Sequence, residues 1–330
     1  MCPAVSDPFV FQNLRSLSPD TVNVEDFVDK GNMLDDTEGF KKAWIEVCNS
    51  TSKNVLLIPK HKTYHIKRIN FTGPCNSLVV KMEGRIKASN NFSDYEKDRK
   101  HWIIFKGIDN LKVKGKGTFD GNGEKWWQNS CKVNHSLPCV KAPTAVTFKK
   151  CNNLIVEGVR FENSQQMHVT FQQCVNVRAK KLRIFAPKTS PNTDGIHITG
   201  TKNIWIDKPY IRTGKGDDCI SIVNGSTNVK ATNVRCGPGH GISIGSLGKN
   251  NSEAQVSNVL VRGAKLKGTT NGVRIKTWQG GKGYVKDIVF KNIIMHNVSN
   301  PIIIDQNYCD QDDPCPEQVK NHPYNSEYQS

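Results

Sequence analysis

Residues 194–206 read Asp194-Gly195-Ile196-His197-Ile198-Thr199-Gly200-Thr201-Lys202-Asn203-Ile204-Trp205-Ile206. Two short runs alternate, Ile196-His197-Ile198 and Ile204-Trp205-Ile206, with Gly200 and Asn203 between them. Alternation with period two reads as a strand with one buried face. Gly and Asn suit tight turns with positive φ. The unit then recurs. Ile220-Ser221-Ile222 and Ile242-Ser243-Ile244 repeat the first run. Asn or Asp followed by an aliphatic residue appears at Asn110-Leu111, Asn153-Leu154, Asn176-Val177, Asn203-Ile204, Asn228-Val229, Asn258-Val259 and Asp287-Ile288. From Leu154 onward the steps are 23, 27, 25, 30 and 29 residues, and the step from Leu111 is about twice one unit. A repeat of this length marks a solenoid or an array. With almost no helical periodicity after residue 50, the pattern predicts an all-β, right-handed parallel β-helix. A β-propeller is the runner-up, but its blades need about 40–50 residues. The recurrent asparagines read as a structural ladder rather than a site.

One helix is expected, over residues 36–48. Asp35-Asp36-Thr37-Glu38 offers a capping carboxylate with Glu following. Phe40, Ala43, Trp44 and Val47 then form one apolar stripe. Such a helix would cover the open first rung of a solenoid.

The 330 residues read as one elongated β-helix domain over 22–318, with an N-terminal extension at 1–21 and a polar tail at 319–330. No stretch is long and apolar enough to span a membrane. The first 25 residues, which include Cys2, Asp7, Gln12, Asn13 and Arg15, lack the apolar segment of a leader. Eleven cysteines and seven Asn-x-Ser/Thr sites (Asn49, Asn70, Asn91, Asn134, Asn224, Asn250 and Asn297) nevertheless favour secretion. Cys131/Cys139, Cys219/Cys236 and Cys309/Cys315 lie close enough for local bridges, and Cys48/Cys75 is a further pairing. Sequence alone does not fix the connectivity, and an odd count leaves at least one thiol unpaired. The net charge of +16 favours a polyanionic partner. No nucleic-acid module is recognisable. Acidic polysaccharide suits an extracellular protein better, and a monomer is the default for a solenoid.

Chemistry concentrates in Ser190-Pro191-Asn192-Thr193-Asp194-Gly195, Gly216-Asp217-Asp218-Cys219, Gly239-His240-Gly241 and Arg274-Ile275-Lys276. Opposed carboxyl groups are the equipment for cleaving a glycosidic bond, and two cations beside them point to an acidic sugar. Asp194, Asp217, His240 and Arg274 are separated by 23, 23 and 34 residues, about one rung per step, with an insertion at 248–254. The four are therefore expected in one column on one face. Arg274 and Lys276, two apart on a strand, point the same way. His168 lies 26 residues before Asp194, where it either edges the cleft or packs. Trp126 and Trp127 either stack on sugar or anchor a loop.

Taken together and in this order, these motifs closely resemble those of the plant polygalacturonases, from about Val22 to about Gln318. Cys236-Gly237-Pro238-Gly239-His240-Gly241 and Arg274-Ile275-Lys276-Thr277-Trp278 extend the match. The resemblance implies a parallel β-helix that hydrolyses α-1,4 links between galacturonic acid residues with inversion. It implies Asp217 as general acid, Asp194 and Asp218 activating water, and His240 tuning the acid. Arg274 and Lys276 would bind galacturonate carboxylates, and Tyr308 and Asn192 would place the sugar. The implied partner is pectin, in the cell wall, with no metal or cofactor and with neither nucleic acid nor membrane as partner. The chain departs from the family pattern at Lys215, commonly a small residue, at Phe27-Val28-Asp29-Lys30-Gly31-Asn32-Met33, and in ending soon after Cys315. A Lys215 turned inward would lower neighbouring carboxyl pKa values. The early end would leave the last rung with an exposed apolar face. Three alternatives follow: a catalytically weak pectin-binding relative, a calcium-dependent pectate lyase, and a rhamnogalacturonan hydrolase.

Overall fold

The computed structural model describes residues 20–29, 35–75, 77–310 and 315. Most of the expected N-terminal extension, the whole polar tail and part of the Phe27–Met33 segment lie outside these residues. The chain winds as a right-handed parallel β-helix with three parallel sheets of ten, nine and nine strands. One rung shows the order. Val175–Lys180 lies in the ten-stranded sheet, Arg183–Phe185 in a nine-stranded flank sheet, and Ile196–Thr199 in a nine-stranded cleft sheet. Lys202–Asp207 then returns to the ten-stranded sheet, paired in parallel with Val175–Lys180.

Each strand is buried on one face because identical positions stack in register. Phe71, Phe105, Phe148 and Phe171 are successive partners inside the cleft sheet. Their rings stack at 5.1, 5.2 and 5.5 Å between centroids. Ile198, Ile222, Ile244 and Ile275 continue the same row. This stacked interior supplies a core without any layer of helices.

The asparagine repeat is a hydrogen-bonded ladder. The Nδ2 groups of Asn153, Asn176, Asn203, Asn228 and Asn258 each donate to Oδ1 of the asparagine one rung earlier, at 2.8–3.2 Å. All six asparagines from Asn110 to Asn258 have φ between 53° and 58°. Asn tolerates this left-handed conformation better than other residues with a Cβ. The long step from Leu111 to Leu154 is one rung, not two, since Val113 pairs directly with Val156. The extra residues form an excursion at 121–143, which carries α2 (Glu124–Gln128) and the Cys131–Cys139 bridge.

The capping helix α1 spans Thr37–Asn49 and buries Phe40, Ala43, Trp44 and Val47. Its capping differs in detail from expectation. Asp35 Oδ1 accepts from the Thr37 N–H at 3.0 Å, whereas Asp36 Oδ2 accepts from the His65 N–H at 2.7 Å and ties the helix to the first rungs. Cys48–Cys75, Cys219–Cys236 and Cys309–Cys315 are also bridged. Cys151 and Cys174 are free and buried. Ile302 and Ile304, on the last described strand, Asn300–Asp305, are exposed among the described residues.

Asn203 serves its ladder as both donor and acceptor. Asn203→Ala removes both bonds and leaves a poorly suited residue at φ 58°. It should cost about 2–3 kcal/mol, whereas Asn203→Gly, which fits the conformation, should cost about 1 kcal/mol less. Urea unfolding midpoints test this; equal losses would show that backbone conformation contributes nothing.

Candidate active site

The loops that lead from the flank sheet into the cleft sheet carry the acids. Ile196, Ile220 and Ile242 are in-register partners, as are Gly195 and Cys219 through their backbone bonds. Counting back two residues sets Asp194, Asp218 and His240 in one row, with Asp217 one residue further out. The expected column of Asp194, Asp217, His240 and Arg274 is therefore redistributed, because the first rung step is 24 residues rather than 23. Arg274 belongs to the outward row of the cleft sheet, after His197, Ser221 and Ser243. Lys276 lies on the same strand and face.

Asp218 is the electrostatic centre. It is 3% exposed and bonded on both oxygens. Oδ1 accepts from Arg274 Nη2 at 3.1 Å and from Ser243 Oγ at 2.6 Å, and Oδ2 accepts from Lys276 Nζ at 3.0 Å. Both cations are themselves 7% exposed. Pairing of this kind offsets the cost of burying a carboxylate. Ser243 Oγ also accepts from Arg274 Nε at 3.2 Å, fixing the guanidinium plane. Arg274 and Lys276 are thus committed first to Asp218. Lys276 Nζ retains further donors, lines the cleft, and sits 5.1 Å from the Tyr308 ring centroid.

Asp217 is also buried, but among the described residues no cation bonds it. Its Oδ2 accepts from the Thr193 N–H at 2.7 Å and from Thr193 Oγ1 at 2.9 Å. Burial pushes its pKa up to about 6 against the opposing pull of the Thr193 bonds, and the Asp218 charge adds to the rise. Gly214 makes this position possible. A Cβ there would lie 1.9 Å from the Ser190 carbonyl oxygen and 2.4 Å from Asp217 Oδ2. Asp194, half-buried, accepts from the Asp218 N–H at 3.1 Å. Burial, then the charges of Asp218 and Asp217, hold its pKa well above the ordinary carboxyl value. Two neighbouring acids so raised titrate as a pair.

His240 donates its backbone N–H to the Asp217 carbonyl at 2.7 Å. Its Nδ1 lies 3.3 Å from Arg274 Nη2, which can only donate, so Nδ1 accepts and any ring proton is on Nε2. Burial and then Arg274 lower its pKa to about 4 and keep the ring neutral near neutral pH. Asn192 is exposed at the rim with φ 56°. Tyr308 is placed by a 3.1 Å bond from its N–H to the Thr277 carbonyl, and burial raises its phenol pKa.

Asp194, Asp217, Asp218, His240, Lys276 and Tyr308 all border one open cleft of about 520 Å³. Arg274 stands behind it, holding Asp218. Lys215 is solvent-exposed, and the cations on Asp218 are Arg274 and Lys276. His168 packs rather than edging the cleft. It is fully buried between the Asp194 and Phe185 carbonyls, with Nδ1 3.0 Å from the former. Trp126 packs edge-on against Phe92 and Tyr95. Trp127 anchors the 121–143 excursion through Nε1 to the Ser164 carbonyl, and borders a separate hollow of about 600 Å³ away from the acids.

Sequence reasoning missed Thr193, Gly214 and Ser243 as supports of the acids. It also missed His197, which lines the cleft as a neutral ring because burial lowers its pKa to about 4. Ser243 had one available signal, its place at the polar position of Ile242-Ser243-Ile244, one rung beyond an acidic segment.

Residues 48–323 match the model for glycosyl hydrolases family 28. Polygalacturonase QRT2 of Arabidopsis thaliana is 58% identical over 303 residues, which cover 91% of this chain and 68% of that protein. A polygalacturonase of Persea americana is 58% identical over 304 residues, or 91% of this chain and 65% of that one. The chain thus spans about two thirds of the length of these relatives. Among solved structures, the polygalacturonase of Erwinia carotovora is 27% identical with a TM-score of 0.74, over 93% of this chain and 83% of its own. The endo-xylogalacturonan hydrolase of Aspergillus tubingensis is 25% identical with a TM-score of 0.78, over 88% and 78%. By the extent of the family match and by these identities, the chain belongs to glycosyl hydrolases family 28.

Proposed function

We propose that this chain hydrolyses α-1,4-galacturonosidic bonds of polygalacturonate, with inversion at the anomeric carbon. One observation carries the reading. A buried, raised-pKa carboxyl, Asp217, lies next to Asp218, a carboxyl bonded by two cations, in a cleft open to solvent. Neighbouring acids with separated proton affinities divide acid and base work between them.

Asp217 protonates the leaving oxygen. Asp194 and Asp218 orient and activate a water on the opposite face of the sugar. Asp194 accepts its proton readily, because burial and two neighbouring acids raise its basicity. His240, neutral, is tied to Asp217 through its backbone N–H and tunes the acid. Lys276 offers its remaining N–H groups to a galacturonate carboxylate, Arg274 supplies the positive field behind it, and Tyr308 and Asn192 frame the ring. Four disulfides among the described residues and seven exposed glycan acceptor asparagines support secretion into an oxidising, extracellular setting.

Asp217→Asn should lower the release of reducing ends from polygalacturonate by roughly 10²- to 10⁴-fold, with chelator present and no unsaturated product formed. Unsaturated product from the unaltered chain would indicate elimination instead. Folded protein that binds the polymer without turnover would mark a pectin-binding relative. Activity of the unaltered chain should fall as pH rises through about 6, where Asp217 loses its proton.

The same shift affects stability. Its folded pKa lies above the ordinary 3.8, so the stabilisation is present below about pH 4 and lost as pH rises through about 6. The Tm of Asp217→Asn relative to the unaltered chain should therefore increase between pH 4 and pH 7; a flat difference would contradict the raised value. Ser243→Ala should reduce kcat roughly tenfold to a hundredfold, the worth of a hydrogen bond to a charged group. Ser257→Ala, on the ten-stranded sheet, should leave kcat unchanged.

A further inference from the structure

The flank sheet carries a face that the cleft chemistry does not use. Four of its adjacent strands are Arg183–Phe185, Tyr210–Arg212, Arg235–Cys236 and Lys265–Lys267. Their inward residues, Ile184, Ile211, Cys236 and Leu266, are buried in the core. Outward, they present Arg183, Arg212, Arg235, Lys265 and Lys267, all exposed, with Phe185 and Tyr210 as the other members. No outward position on these strands is acidic. Among the described residues, none of the five cations is ion-paired, whereas Arg85 and Arg160 earlier on the same sheet engage Asp120 and Glu162.

Register makes this a linear array. Arg183, Tyr210, Arg235 and Lys265 are successive in-register partners. Neighbouring strands lie about 4.8 Å apart, so the row extends roughly 14 Å along the solenoid axis. Tyr210 of this row packs edge-to-face at 5.4 Å against Phe185 of the neighbouring row. Like charges directly opposite on neighbouring strands are unfavourable, and Arg235 faces Lys265 in this way. Like charges also face each other on the ten-stranded sheet, Lys81 opposite Lys114 and Arg262 opposite Lys291, but that row includes acids. Between those pairs Glu157 and Asp207 flank Lys180, whereas the four flank strands offer no such acid. None of the seven glycan acceptor asparagines lies in the four flank strands.

We propose that this face is a second, non-catalytic binding surface for a linear acidic polysaccharide, a polyuronate with one carboxylate on each ring. Its cations, set along one axis at multiples of the strand spacing, match a linear polymer with repeated charge, and the two aromatic rings offer apolar surface to sugar. It is separated from the cleft by the loops that carry the acids, and none of its five cations lines the cleft. Held there, the enzyme stays on the polymer between cleavage events. The choice of polyuronate over other polyanions rests on the hydrolase reading above.

The test uses the full chain with Asp217→Asn, so that polymer is bound and not cut. Affinity electrophoresis through long polygalacturonate is run with and without saturating trigalacturonate to block the cleft. Binding should persist with the cleft blocked. It should weaken at least tenfold when Arg183→Gln, Arg212→Gln, Arg235→Gln, Lys265→Gln and Lys267→Gln are combined, while Arg→Lys at the three arginines should retain it. In the otherwise unaltered enzyme the five changes should leave kcat on trigalacturonate within twofold and raise KM for the polymer alone. If the five-fold variant does not fold, Arg235→Gln with Lys267→Gln should show a smaller loss of the same kind. Complete competition by trigalacturonate, unchanged binding in the variant, or tighter binding of duplex DNA than of polygalacturonate at equal salt would each overturn the proposal. Polymer binding that depends on the five cations, in a chain that hydrolyses no polygalacturonate, would sink the hydrolase reading and leave the face standing.

Discussion

Everything in this molecule depends on register between parallel strands. Each rung must place its apolar residues above those of the rung before, because a slip of one residue turns a strand's buried set outward. The asparagine ladder holds that register at one corner by linking consecutive turns side chain to side chain. The phenylalanine and isoleucine rows hold it inside. With register fixed, positions far apart in sequence become neighbours at strand spacing, and the loops between sheets can vary without disturbing the core.

The acid cluster uses this property. Asp194 and Asp218 stand on adjacent rungs, while Ser243 and Arg274 reach back to Asp218 from one and two rungs further on. Separate turns thus assemble a charge arrangement that none contains. The distribution of cations decides the division of labour. Asp218 receives two and Asp217 receives hydroxyl and amide donors instead, so neighbours in sequence differ in environment. A third cation, Lys215, lies close in sequence but faces solvent.

The fold was legible because the repeat is a direct imprint of rung length, and because Asn before an aliphatic residue has one economical use at such a turn. The acids were legible because their segments are dense and ordered. Three things were not. The 121–143 excursion looked like a missing rung, since an insertion and a repeat both lengthen the step. The column of site residues was set one residue out, because spacing of about one rung cannot distinguish 23 from 24 residues. The commitment of Arg274 and Lys276 to Asp218 was hidden, because a basic pair in sequence carries no record of which carboxylate, of substrate or of protein, it faces.

The asparagine ladder also bears on how the protein ages. Asparagine is chemically labile, above all where a small, mobile residue follows and its backbone nitrogen can attack the side-chain amide. Here the followers are Leu111, Leu154, Val177, Ile204, Val229 and Val259, each essentially buried. The residue that the core requires is thus the one that hinders ring closure. Conversion of one central asparagine to aspartate would replace a donor with an oxygen facing the oxygen of the preceding rung, breaking the chain of bonds there. The same pattern that sets the rungs in register therefore shields their connectors from slow chemical decay.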